Sequence, residues 1–284
     1  MFKIMTLSCY LFFGSSFVYA QTEQVFLERG KIDSQKDNYI QAIVDINKAI
    51  DRNPNDAQAY LARGLVYSSM GNWALAIKDS SRAIEIDPKN TQAYVNRGYA
   101  YSMQHNLAQA ISDCDKAIQI DPNDVQAYDH RGIDFANQGN FSNAIADFFK
   151  AIRINPKFAE AYNNLGTAYD RESYYSLAIQ NYNKAIELNP DFAGAYDNRG
   201  YVYAEQGKFN EAFSDFKKAI EIYPNDAMAY YDLGFTYYKK KDYADAWVNV
   251  YKAQGLGAVV DPHFINELKQ ASAPLLRQGK RVVQ

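Results

Sequence analysis

The sequence predicts an all-α fold, a solenoid of repeated two-helix units, and two series of residues carry that prediction. Proline stands at Pro54, Pro88, Pro122, Pro156, Pro190 and Pro224, each 34 residues after the last. Glycine keeps the same 34-residue interval at Gly30, Gly64, Gly98, Gly132, Gly166, Gly200 and Gly234. Two series in constant phase describe copies of one structural unit, and a period of this length marks stacked helical repeats. Each copy buries its apolar face on its neighbours, so the core of a 284-residue chain grows lengthwise. A hydrophobic share of 48% with 22% charged residues argues against disorder. The net charge of −3 gives no electrostatic footprint for nucleic acid.

Residues 1–20 read MFKIMTLSCYLFFGSSFVYA. Lys3 supplies a positive start, an uncharged apolar run follows, and Val18-Tyr19-Ala20 offers compact residues for cleavage before Gln21. The pattern is that of a secretory signal peptide removed near Ala20, which places the mature chain in the periplasm or outside the cell. The alternative is an uncleaved anchor, but the apolar run falls short of the ~20 residues that span a bilayer.

Seven units follow, at 23–56, 57–90, 91–124, 125–158, 159–192, 193–226 and 227–260. In the second, Asp56 is a good N-cap for a helix running towards Met70, and Gly71-Asn72 breaks it. Trp73, Ile77, Ala83 and Ile84 form the apolar stripe of a second helix, which Asp87-Pro88 ends. Small residues recur in all seven units, at Ala42, Ala76, Ala110, Ala144, Ala178, Ala212 and Ala246, and again seven residues after each. They mark where helices cross closely, with large aromatics such as Tyr60 and Tyr67 filling the wider gaps.

By Tyr60, Gly64, Tyr67, Ala76, Ala83 and Pro88, repeated along the chain, the sequence resembles the tetratricopeptide repeat family. The resemblance implies a right-handed superhelix whose first helices line a concave groove. The first unit departs from the pattern with Phe26 and Asp33 at the two aromatic positions, as suits a terminal unit facing water. After the seventh, Asp261-Pro262 opens a capping helix with Phe264, Ile265 and Leu268 on one face. Pro274 is expected to stop that helix, leaving a short basic tail in the segment 261–284.

Comparing the repeats with one another predicts an internal ion pair. Arg29, Arg63, Arg97, Arg131 and Arg199 precede the glycine, and the same units carry Asp45, Asp79, Asp113, Asp147 and Asp215 sixteen residues later. The two remaining units have Leu165 with Asn181 and Leu233 with Asn249. Either the pair joins the two helices of a unit, or two repeat subtypes were duplicated whole. Cys114 is the single thiol outside the leader and is expected as a buried apolar filler, without disulfide or metal.

In the resembled family, groove-facing residues include the sixth of each first helix, here Asn96, His130, Asn164, Asn198 and Asp232. A side-chain amide offers donor and acceptor together, so a ladder of amides can bind an extended peptide backbone. Tyr99, Asp129, Asn163, Asp197, Tyr201, Asn137, Asp170 and Arg171 would add charge and stacking. The family's clamp for a chain-terminal carboxylate needs cationic residues where this chain has Leu61, Val95, Asp129, Asn163 and Asp197, so basic or neutral segments fit better. His105, His130 and His263 are scattered over separate units, no serine or cysteine has a paired base in the local sequence, and no glycine-rich phosphate loop is present, so no catalysis and no cofactor are expected. The expected function is a protein-interaction scaffold that takes a peptide segment of a partner. The alternative is a structural subunit that oligomerises through its convex face or its ends.

Overall fold

In the computed structural model the described residues are 25–31, 33, 34, 36 and 38–277, with side chains to 273. The expected leader at 1–20 and most of the basic tail lie outside them. Fifteen helices make up the described chain, and no strand occurs among the described residues. Helix α1 contributes the helical residues 25–31, 33 and 34, and α2 is Tyr39–Arg52. Then come α3 (Ala57–Ser69), α4 (Trp73–Ile86), α5 (Thr91–Met103), α6 (Leu107–Ile120), α7 (Val125–Asn137) and α8 (Phe141–Ile154). The chain continues through α9 (Ala159–Arg171), α10 (Tyr175–Leu188), α11 (Ala193–Glu205), α12 (Phe209–Ile222), α13 (Ala227–Lys239), α14 (Tyr243–Gly255) and α15 (Pro262–Arg277). The all-α repeat fold expected from the sequence is therefore observed. Among the described residues no helix is long and apolar enough to cross a membrane.

The turns explain where the helices stop. Between the helices of a pair, residues 34 apart take the left-handed conformation: Gly71, His105, Gly139, Ser173, Gly207 and Lys241, with φ between 59° and 76°. The residue after each closes the preceding helix with a backbone bond, as from Asn72 N–H to the Tyr67 carbonyl at 2.8 Å. Between pairs, Asn53, Asp87, Asp121, Asn155 and Asn189 each accept the backbone N–H two residues ahead, across the proline. Asp56, Asn90, Asp124 and Asp226 then cap the next first helix with their side chains.

Two compact units divide the chain, the boundary falling inside α8 after Asn143. In the first unit α3 packs on α4 and α5 on α6, while α2–α3, α4–α5 and α6–α7 join successive pairs. The second unit repeats the scheme with α9–α10, α11–α12 and α13–α14, joined through α10–α11 and α12–α13 and closed by α15 on α14. Alanines at the crossings are fully buried, among them Ala76, Ala110, Ala178 and Ala212. The residue sixteen after the glycine fills the space opposite it: Ser80, Cys114, Tyr182, Phe216 and Val250. Cys114 is buried there, 3.5 Å from where a Gly98 side chain would begin, as a filler of that slot. In the second unit Phe264 and Leu268 of α15 cover Trp247 and Val250, and the Trp247 indole donates to Ser272 Oγ at 3.1 Å. This helix does not stop at Pro274 as expected but runs to Arg277. Contacts made upstream by Phe264, Leu268 and Ser272 hold it, and the proline removes one backbone donor near its end.

Four of the five predicted ion pairs are seen, each within one repeat. Arg63 and Asp79 meet through Nε–Oδ2 at 2.7 Å and Nη2–Oδ1 at 2.8 Å. Arg97 with Asp113 and Arg199 with Asp215 repeat this fork, and Arg29 lies 3.3 Å from Asp45. The residues of the fifth predicted pair, Arg131 and Asp147, belong to different compact units. A third partner was not foreseen. Arg63 Nη1 donates to Asn47, Arg97 Nη1 to Ser81, Arg131 Nη1 to Asp115 and Arg199 Nη1 to Asn183, each sixteen residues earlier on the previous second helix. One guanidinium thus ties three helices, which is why its planar fork suits the position better than a lysine.

Candidate binding face

The first helices carry most of the predicted site residues, and the two compact units differ in what they offer. In the first unit, Asn96 of α5 is buried and both ends of its amide are used. Its Nδ2 donates to Ser80 Oγ at 2.9 Å, and its Oδ1 accepts from Ser68 Oγ at 3.3 Å. That amide braces α3, α4 and α5 and is not open to a ligand. Tyr99 is half-buried, with its ring edge-on to Trp73 and 5.4 Å from the His130 ring. Burial holds the His130 imidazole below its ordinary pKa, hence neutral at neutral pH. Asp129 is buried, and Asn137 is exposed at the end of α7, apart from the others.

Sequence reasoning missed Asp134. It is buried on α7 and accepts from Ser102 Oγ at 2.5 Å, and burial pushes its carboxyl up to about 6. The signal was available, since the same repeat position holds Val66, Ala100, Ala168, Val202 and Thr236 elsewhere. Also unforeseen is an apolar hollow of about 260 Å³ between α1 and α3, lined by Ile46, Leu61, Ala62 and Leu65.

The second unit gathers the predicted residues into one face across α9, α11 and α13. Asn198 of α11 donates through Nδ2 to Asn163 Oδ1 of α9 at 3.0 Å, and Asn163 Nδ2 lies 3.5 Å from Asn164 Oδ1. A shared amide bond thus joins neighbouring first helices. Tyr201 stands exposed, within electrostatic reach of Glu205, Asp170, Asp232 and Arg171. Burial raises the Asp170 carboxyl, although Arg171, exposed beside it, pulls the other way. Glu205 is held by Lys239 of α13 at 2.5 Å. Asp197 has one buried oxygen, Oδ1, without a hydrogen-bond partner. Burial first, then Asp232 and Asp226, push its carboxyl up to about 8, while burial and Asp226 bring Asp232 to about 7. The face therefore offers amide edges, an open aromatic ring and an excess of carboxyl groups. Among the described residues, no three of His, Cys, Asp and Glu are grouped to hold a metal ion.

The sequence profile described as "TPR repeat" matches residues 66–105, 132–171, 174–207 and 200–241, more than half of the chain. The chain belongs to the tetratricopeptide repeat family. Profiles described as "Tetratricopeptide repeat" add residues 91–124 and 46–78. Curated proteins gave no match. Among solved structures, a chain of the APC/C hetero-tetramer Cut9–Hcn1 is similar at TM-score 0.76 and 19% identity, over 86% of this chain and 48% of that one. This chain thus spans about half the length of that relative. PilF of Pseudomonas aeruginosa is similar at TM-score 0.64 and 18% identity, over 79% of this chain and 98% of that one. A tetratricopeptide repeat protein of Parabacteroides merdae gives TM-score 0.68 and 20% identity, over 89% and 99% of the two chains. At these identities the likeness is one of fold.

Proposed function

We propose that this tetratricopeptide repeat chain is a non-catalytic scaffold that holds an extended segment of a partner protein on its first-helix faces. The observation that carries the reading is the Asn163–Asn198 bond at 3.0 Å, which sets an amide pair across neighbouring first helices beside the open ring of Tyr201. Such a pair can accept from and donate to a peptide backbone whatever its side chains, and the ring gives a segment something to lie on. Asp170, together with Asp197 and Asp232 when ionised, biases the choice towards basic or neutral segments. Nothing in this arrangement supplies a nucleophile with a paired base, which favours binding over turnover.

Fluorescence anisotropy with a panel of extended peptides, uncharged and lysine-containing, tests the reading. Replacing Asn163 and Asn198 by alanine should weaken the bound members about tenfold, near 1.4 kcal/mol, with the helical signal intact. An unchanged affinity would count against the face.

The composition of residues 1–20 supports export by the secretory route, with the mature chain beginning at Gln21. Intact-mass measurement of the exported protein checks this directly. A mass that includes residues 1–20 would overturn the cleavage.

A further inference from the structure

Asp197 and Asp232 stand 35 residues apart on α11 and α13, the offset that separates Asn163 on α9 from Asn198 on α11 one repeat earlier. In the earlier pair one amide donates to the other at 3.0 Å. In the later pair both partners are carboxyl groups, and neither brings an N–H to the junction. Oδ1 of Asp197 is buried and without a partner. A buried carboxylate oxygen with no donor is unfavourable, and two carboxylates at one junction do not both ionise readily. A proton held by either one relieves both costs.

We propose that Asp197 and Asp232 form a proton-linked pair that sets the charge of the first-helix face in the second unit. This rests on the reading of that face as the binding surface. With the proton held, the pair carries a single negative charge rather than two. With the proton lost, the face gains a second negative charge at its centre and better suits the lysine or arginine side chain of a bound segment.

The surrounding charges do not offset the burial of the pair. Asp226, the N-cap of α13, acts on both carboxyls and disfavours their ionisation further. From α9, Asp170 and Arg171 act on Tyr201. Glu205 of α11 is held by Lys239 of α13, and Asp215 of α12 by Arg199 of α11. On α10, Lys184 pairs with Glu187. Asp245 of α14 acts on Tyr237, and Asp261, ahead of α15, acts on Tyr231. Among the described residues, no cation is among the groups that act on either carboxyl. The pair titrates as a unit, so its two apparent values belong to both residues together.

A carboxyl-carbon NMR titration of the full chain with labelled aspartate tests the proposal, with D197N and D232N assigning the two signals. At least one of the pair should titrate above about pH 6, far from the ordinary aspartate value near 4. Both titrating below about pH 5 would overturn the proposal. Thermal melting gives a second readout. A carboxyl raised in the folded state contributes stability below its unfolded pKa and loses it as pH rises through the folded value. D197N should therefore flatten the fall in melting temperature between pH 5 and 8, and an unchanged profile would also overturn the pair. If D197N does not fold, D232N serves the same comparison. Neither readout needs a partner, so a face that bound no peptide would leave both results interpretable.

Discussion

Arg97 grips Asp113 with two parallel hydrogen bonds, Nε to Oδ2 at 2.8 Å and Nη2 to Oδ1 at 2.7 Å, and turns its remaining nitrogen back to Ser81. The Asp113 side chain is 9% exposed and that of Arg97 21%, so the pair is shielded but not sealed. Removing the arginine alone strands a carboxylate beside Cys114, and R97L should cost about 3 kcal/mol, the lower end for a broken buried pair. The double variant R97L/D113N should cost far less. The chain already carries that solution at Leu165 with Asn181, where the asparagine bonds the Leu177 carbonyl at 2.8 Å. A double-mutant cycle by urea denaturation measures the coupling, and a value near zero would refute the pair as a stabilising link.

Three side chains sit where the turn asks for glycine. His105, Ser173 and Lys241 take φ of 59°, 63° and 68° at positions held elsewhere by Gly71, Gly139 and Gly207. The left-handed conformation disfavours a Cβ, so H105G should stabilise the chain by about 0.5–1 kcal/mol after the larger unfolded-state entropy of glycine is counted. Thermal melting of the single and triple glycine variants checks this. A loss of stability would show that these side chains make contacts that outweigh the strain.

Two glycines of the second unit should respond oppositely to alanine. A Cβ on Gly166 would begin 2.7 Å from Tyr182 Cε1, so G166A should cost about 1–3 kcal/mol through overpacking. Gly194, at the start of α11, meets nothing closer than Phe192 at 3.5 Å, and G194A should gain about 0.5 kcal/mol of helix propensity. Chemical denaturation of both variants separates the two signs.

Asp134 predicts a pH dependence in the first unit. Its carboxyl, pushed up to about 6, is protonated more readily folded than unfolded. The stability it brings is complete below about pH 4 and fades as pH rises through 6. D134N keeps a group that can bond Ser102 and removes the titration. It should raise stability at pH 8 by on the order of 2–3 kcal/mol and leave pH 4 nearly unchanged. A wild-type pH profile retained in the variant would contradict the assignment.

The repeats made much of this readable. The helix ends follow from the Pro54 series and from breaks such as Gly71-Asn72, and the Arg–Asp fork from its sixteen-residue spacing, because these recur along the chain. The third partner of each arginine did not stand out, since Asn47, Ser81, Asp115 and Asn183 share a position but not an identity. Burial was the other blind spot. Asn96 and Asn198 occupy the same repeat position, yet Ser80 and Ser68 draw Asn96 into the interior, while Asn198 meets Asn163 on the face. What decides between them is the size and polarity of neighbours far along the chain, which a positional ladder does not carry.

A photo-crosslinking residue at Tyr201, compared with one at exposed Glu211 on α12, tests the central claim most directly in a complex with a bound peptide. Crosslinks from position 201, and few or none from 211, are predicted. Crosslinks confined to 211 would place the partner on the second helices and contradict the account.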